Sequence, residues 1–378
     1  MARSSTFDVR SYGAAGDGRR NDGAEIDKAI RELTAAGGGT LYFPFGKYLT
    51  TSRHRITGVP CRIQGDGVGL SAVEWDTDDG GFQFSGGGFN GNYVNSLHVS
   101  NIALVTRRRL GGTALFMTWD DGNRSIIQHF ALENVQIKGA GLYAGSDGHM
   151  WTRGVHSQRA FNSVLSNVQI IGSATVADTN DIQQTTAAFL EMGSGASTQF
   201  LISGFYANFY GTGLHYDKAE GIYMSNFELV LIRTGVKGVG GYVATFSNGH
   251  VDHRENGFVF EGASSVRLTG CDIQHAPGRP GNAVVFDKCI DVAISGCSIH
   301  GPGDQVGYHA NGVVVSQYGT APNFPSEMAA ITGNTFRWIP DQAVWLQTGT
   351  RRNRVTNNLF ESIRGAKVLD QGTENVTS

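Results

Sequence analysis

One motif recurs ten times along this chain and limits the fold more than any other feature. An apolar residue and one further residue precede Asn or Gly, and apolar and outward-type positions then alternate. The copies are VSNIALV at Asn101, LENVQIK at Asn134, LSNVQII at Asn167, ISGFYAN at Gly204, MSNFELV at Asn226, FSNGHVD at Asn248, LTGCDIQ at Gly270, ISGCSIH at Gly296, ITGNTFR at Gly333 and VTNNLFE at Asn357. Successive copies lie 33, 33, 37, 22, 22, 22, 26, 37 and 24 residues apart. Asn and Gly are the residues that most readily take left-handed backbone geometry, so the key position reads as a corner with positive φ. The alternation after it has period 2, the signature of a strand with one buried face. A unit of about 22 residues holding two or three short strands is one coil of a parallel β-helix, and longer spacings are coils with inserted loops.

Residues 21–36 break the pattern. Asp22 with Glu25 resembles a capping box, Ile26, Ile30 and Leu33 form one helical stripe, and Gly37-Gly38-Gly39 ends it. A helix here would cover the open first coil and protect its edge. The expected organisation is all-β. It is one domain over residues 1–378, with a cap over 1–40 carrying a helix at about 22–36, coils over 41–370 and a tail over 371–378. The high glycine count, 53 of 378 residues against 8 prolines, fits many short strands and turns rather than a linker.

The stretch FDVRSYGAAGDGRRNDGAEIDKAIRELTAAGGGTLYFPFGKYL resembles the N-terminal signature of the pectate-lyase-like right-handed β-helix superfamily, which includes phage tailspike depolymerases, polygalacturonase relatives and mannuronan epimerases. The resemblance implies a single-stranded right-handed parallel β-helix, an enzyme acting on a polysaccharide and, as in tailspikes, a homotrimer. It also implies an extracellular or virion-associated setting, although MARSSTFDVRSYG lacks the apolar core of a signal peptide. In the polygalacturonase pattern the bend after the repeated strand carries paired aspartates. Glu255 and Asn256 stand there instead, and neither an Asn-Thr-Asp nor an Asp-Pro-His motif occurs.

Register then sorts the polar residues. Two positions past each corner stand Ala103, Gln136, Gln169, Tyr206, Glu228, His250, Asp272, Ser298, Thr335 and Leu359; four positions past stand Val105, Lys138, Ile171, Asn208, Val230, Asp252, Gln274, His300, Arg337 and Glu361. Both columns face outward, and titratable groups concentrate between 226 and 300. Glu228, His250 and Asp272 are expected as direct neighbours up the stack. Asp252 then lies about 8 Å from Glu228 and Asp272, from one ladder step and two strand residues. That falls within the separation of about 6.5–9.5 Å used by inverting glycoside hydrolases. Crowding of these carboxylates is expected to push their pKa values apart, with His250 sharing a proton between them. Glu255 is a reserve carboxylate at the rim. Tyr206, His300, Arg337, Trp119 (beside Asp120 and Asp121) and Trp151 are the expected substrate contacts.

Three functions remain open at this point. A hydrolase would use Asp252 with Glu228 or Asp272. A lyase acting on a uronate would use His250, His253, Arg254 and Arg337, and in that case a divalent cation such as calcium could assist; otherwise no cofactor is expected. A non-catalytic, trimeric glycan-binding adhesin would need aromatic and amide ladders rather than acids. A metal set of His250, Asp252, His253 and Glu255 is disfavoured because His253 points away from Asp252, and the acidic turn WDTDDG over 75–80 is a weaker calcium candidate. With a net charge of −3, the one basic run, Arg107-Arg108-Arg109, does not make a nucleic-acid surface. No apolar run approaches the length of a membrane span. Cys61, Cys271, Cys289 and Cys297 are too scattered for a disulfide framework, and Cys271 and Cys297 are expected to be reduced core residues.

Overall fold

A computed structural model describes residues 5–86, 96–119, 129–141, 148–192, 198–277, 279–303, 308–317 and 326–378. The chain forms the expected right-handed parallel β-helix coils and divides into two compact units, residues 1–210 and 211–378. All ten corner residues have positive φ, from 51° at Asn226 and Asn248 to 67° at Gly333. The asparagine side chains also bond along the stack: Asn134 Nδ2 donates to Asn101 Oδ1 at 3.3 Å, and Asn167 Nδ2 to Asn134 Oδ1 at 2.7 Å.

In the first unit the helix Gly23–Ala35 buries Ile26, Ala29, Ile30 and Leu33 against the strands Thr6–Asp8 and His54–Thr57. The capping box does not form. Asp22 is fully buried and accepts instead from the backbone N–H groups of Ala15 and Gly16, at 2.7 and 3.0 Å, which ties down the loop before the helix. Glu25 pairs with Arg20. Beyond the helix the coils stack in register. Leu97–Thr106 lies beside Phe130–Gly139, which lies beside Phe161–Ile171, so that Ile102, Val135 and Val168 form one inward column and Leu104, Ile137 and Ile170 the next.

The second unit follows the same rule. Leu229, Val251, Ile273, Ile299 and Phe336 are ladder neighbours in turn and are all fully buried. Burying each such side chain contributes about 1.5–3 kcal/mol. Rings of Phe246, Phe258, Phe260 and Phe286 continue the core, with centroids 5.5–5.8 Å apart between successive members through Phe246 and Phe260. The four cysteines are buried and free; Cys271 and Cys297 point inward on neighbouring coils.

Candidate functional site

The second unit sets Glu228 opposite His250, His250 opposite Asp272 and Asp272 opposite Ser298, as the repeat requires. Asp252 stands opposite Gln274, which stands opposite His300, then Arg337 and Glu361. His250 Nδ1 is 3.9 Å from Glu228 Oε1, and His300 Nε2 is 3.7 Å from Asp272 Oδ1 and 2.6 Å from Ser298 Oγ. Arg337 pairs with Glu361 at 2.9 Å. The face thus sets carboxylates beside histidines, with Glu228 and Asp272 exposed. On the neighbouring coil a bulge breaks the pairing between Leu229 and Ile232, and Leu231 takes φ 51° there. Such bulges re-aim side chains next to them. Asp252 faces this bulge half-buried, and its Oδ1 has no hydrogen-bond partner among the described residues. Burial raises its pKa, with His250 and Arg254 opposing the rise. Desolvation, rather than the expected crowding of carboxylates, thus sets this acid apart.

Several expected contacts are revised. Both oxygens of Glu255 are engaged, by Arg233 at 2.5 Å and Arg279 at 3.1 Å, which suits an anchor rather than a proton donor. His253 faces the core, where its ring meets His275 at 4.8 Å, so it joins no outward set. Trp119 and Trp151 are 1% and 0% exposed and belong to the core; Trp151 Nε1 donates to Leu104 O. They are therefore not sugar-stacking rings. Asp120 and Asp121 lie outside the described residues. The acidic turn is matched by guanidiniums: Arg108 faces Asp76 and Asp78, and Arg53 faces Asp79. Tyr206 lies in the first unit, opposite Gln169, with its hydroxyl 3.1 Å from Asn208 Nδ2. The exposed tryptophan is Trp338, 42% accessible, with its ring 5.6 Å from that of His300. Its φ of 53° is unusual for a bulky residue and holds the indole outward.

A second cluster, absent from the reading of the repeat, occupies a different face of the first unit. Strands Gly112–Trp119, Arg153–Gln158 and Thr186–Glu191 pair so that Phe116, His156 and Phe189 form one ladder column. Val155 and Ser157 are fully buried, which turns His156 and Gln158 outward. His156 is nevertheless only 7% exposed, because the rings of Phe116 and Phe189 flank it at 4.9 Å each. Its Nε2 lies 3.0 Å from Glu191 Oε1 and its Nδ1 lies 3.4 Å from Arg153 Nη1. With these partners Nε2 donates and Nδ1 accepts. Gln158 also donates to Glu191, and the Arg153 guanidinium lies 5.5 Å from the Phe189 ring centroid. Burial lowers the His156 pKa against the opposing pull of Glu191, so the imidazole is neutral near pH 7. A desolvated neutral base, an orienting carboxylate, a cation and two ring faces stand within one column and its neighbours. Such a set can bind an anionic, ring-shaped substrate and move a proton.

A family model described as Rhamnogalacturonase A/epimerase, pectate lyase-like, matches residues 6–278. The mannuronan C5-epimerase AlgE4 of Azotobacter vinelandii is 42% identical over 67 residues, which is 18% of this chain and 12% of that protein. The match thus spans only a small part of that relative. In structure, the A-module of the same epimerase superposes with TM-score 0.57 at 16% identity, covering 98% of this chain and 99% of the module. The catalytic domain of a GH87 alpha-1,3-glucanase in complex with nigerose superposes with TM-score 0.62 at 12% identity, covering 93% of this chain and 67% of that one. These structural likenesses concern the fold.

Proposed function

Because the chain belongs to the rhamnogalacturonase A/epimerase, pectate lyase-like family, we propose that it modifies a polysaccharide by moving the proton on the carbon next to a uronate carboxylate. The His156 column carries this reading. A uronate carboxylate arriving at Arg153 draws the guanidinium off His156 Nδ1, where the contact is already long at 3.4 Å. The freed lone pair takes the C5 proton. The imidazolium formed is stabilised by Glu191 through the 3.0 Å contact at Nε2. Arg153 stabilises the enolate charge that develops on the carboxylate. Phe116 and Phe189 present apolar ring faces to the sugar. Delivery of a proton from solvent water to the opposite face gives the C5 epimer, with the imidazolium returning its own proton to solvent; departure of the C4 oxygen, protonated by the imidazolium, gives an unsaturated end.

The experiment is turnover of uronate polymers in D2O. Deuterium at C5 without chain cleavage indicates epimerisation, and unsaturated ends indicate elimination. Replacing the base is expected to cost about 10²–10⁴-fold in rate, so His156→Gln should lose at least about 100-fold with its fold intact. Undiminished turnover in that variant would overturn the assignment.

One observation favours a second reading, hydrolysis at Asp252. Its carboxyl is half-buried, raised in pKa by desolvation, and offset from Glu228 and Asp272 by one ladder step and two strand residues. New reducing ends without unsaturation, lost in Asp252→Asn and kept in His156→Gln, would favour it.

A further inference from the structure

The first unit also carries a groove that neither cluster uses. Strands Gly46–Thr50, Ser71–Trp75, Leu97–Thr106 and Phe130–Gly139 run side by side in register. Above their outer face is a cavity of about 540 Å³, within the range of small-ligand sites. Its floor is small: Ala72 and Ala103 are direct ladder partners. Leu70, half exposed, stands at its wall. Three cations line it: Lys47, Arg107 and Lys138. Arg107 is committed to Glu74, with Nε at 3.0 Å, and to the Gly18 carbonyl at 2.9 Å. Lys47 and Lys138 have no carboxylate within ion-pair distance among the described residues. Several outward arginines of the second unit, by contrast, are matched, as in Arg267–Asp291, Arg337–Glu361 and Arg352–Glu374. Two ammonium groups without a counter-charge among the described residues thus face one groove.

The register fixes their spacing. Lys47 is followed across the ladder by Ala72, Ala103 and Gln136, and Lys138 lies two residues past Gln136. Three ladder steps cover about 14 Å. One carboxylate cannot meet both lysines, but several sugar units laid along the coil axis can. We propose that this groove binds an acidic oligosaccharide segment, with one carboxylate at Lys47, another at Lys138, and the apolar sugar faces against Ala72, Ala103 and Leu70. The choice of ligand class rests on the glycan reading above, whereas the groove itself is independent of His156.

The test is calorimetric titration of the full chain with oligogalacturonates and oligomannuronates of defined length, alongside the same oligomers with reduced carboxyl groups. Binding that weakens with added salt, falls roughly tenfold or more in the double variant Lys47→Gln, Lys138→Gln, and disappears on carboxyl reduction is the expected result. The double variant should raise KM for polymer while leaving kcat unchanged. Equal affinity for carboxyl-reduced oligomers, no loss in the double variant, or no binding of either acidic series would overturn it. If His156→Gln retains full turnover while the lysine-dependent binding stands, the proton-transfer reading falls and this one survives.

Discussion

At the scale of single residues, side chains of the same type take opposite roles according to which side of the strand they face. His156 is outward and flanked by aromatic rings; His253 and His275 are inward, 0% and 2% exposed, and touch each other. The His156 pKa is lowered first by burial and then by Arg153, and raised by Glu191. The base form therefore dominates above that lowered value, and activity should fall only as pH drops below the ordinary histidine value of about 6.5. Removing the carboxylate in Glu191→Gln should move this acid limb of the pH–rate profile to lower pH. Removing the guanidinium in Arg153→Gln should move it to higher pH and also raise KM. Opposite shifts check the pairing; identical shifts would contradict it. At the corners, Asn167→Ala should cost about 1–2 kcal/mol, because a Cβ with no compensating hydrogen bond is forced into left-handed geometry. Asn167→Gly should cost less, as the glycine at four other corners already indicates. Urea unfolding of the two variants measures the difference.

At the scale of elements, legibility depended on regularity. Three successive spacings of 22 residues made the register from Gly204 to Gly270 readable, and the ladder Glu228–His250–Asp272 stands where that register put it. His156 escaped because it lies on a strand outside the repeated motif, in a coil whose corners are 33 residues apart. A usable signal was present nevertheless. In GTALFMTW the buried positions Leu115, Met117 and Trp119 alternate with Phe116 and Thr118, which puts Trp119 inside and Phe116 outside. RGVHSQ itself shows no such alternation, and it is the pairing of His156 with Phe116 that turns it out. The bulge at Leu231 was not legible at all, since no glycine marks it. The inward histidines supply an element-scale prediction. Burial brings His275 down to about 4 and lowers His253 well below its usual range. The unfolded chain thus takes up these protons first, so stability is full above about pH 6.5 and declines as pH falls toward about 4. For His275 alone the loss is on the order of 3 kcal/mol. The double variant His253→Leu, His275→Leu should flatten the stability profile in that window, as measured by urea midpoints from pH 7 to pH 4.

At the scale of the molecule, stability comes from repeated short-range stacking rather than from covalent ties. Each coil contributes a few inward side chains to columns shared with its neighbours. The cysteines take no part in cross-linking, and burial pushes the Cys61 and Cys289 thiols up to about 12. Reducing agents should leave the melting temperature unchanged. An aromatic disulfide reagent should find essentially no reactive thiol in the native protein and four after denaturation. The left-handed corners have a further consequence, for descent rather than for stability. Spacing between them ranges from 22 to 37 residues without disturbing the strand that follows. Each coil is therefore a cassette with standard ends, and its outward positions can be rewritten while its inward ones stay fixed. A lineage built this way can move a working cluster from one sheet to another, or lengthen one turn around a new substrate, without redesigning the rest. Two unrelated polar clusters and a basic groove on one chain are the kind of record such tinkering leaves.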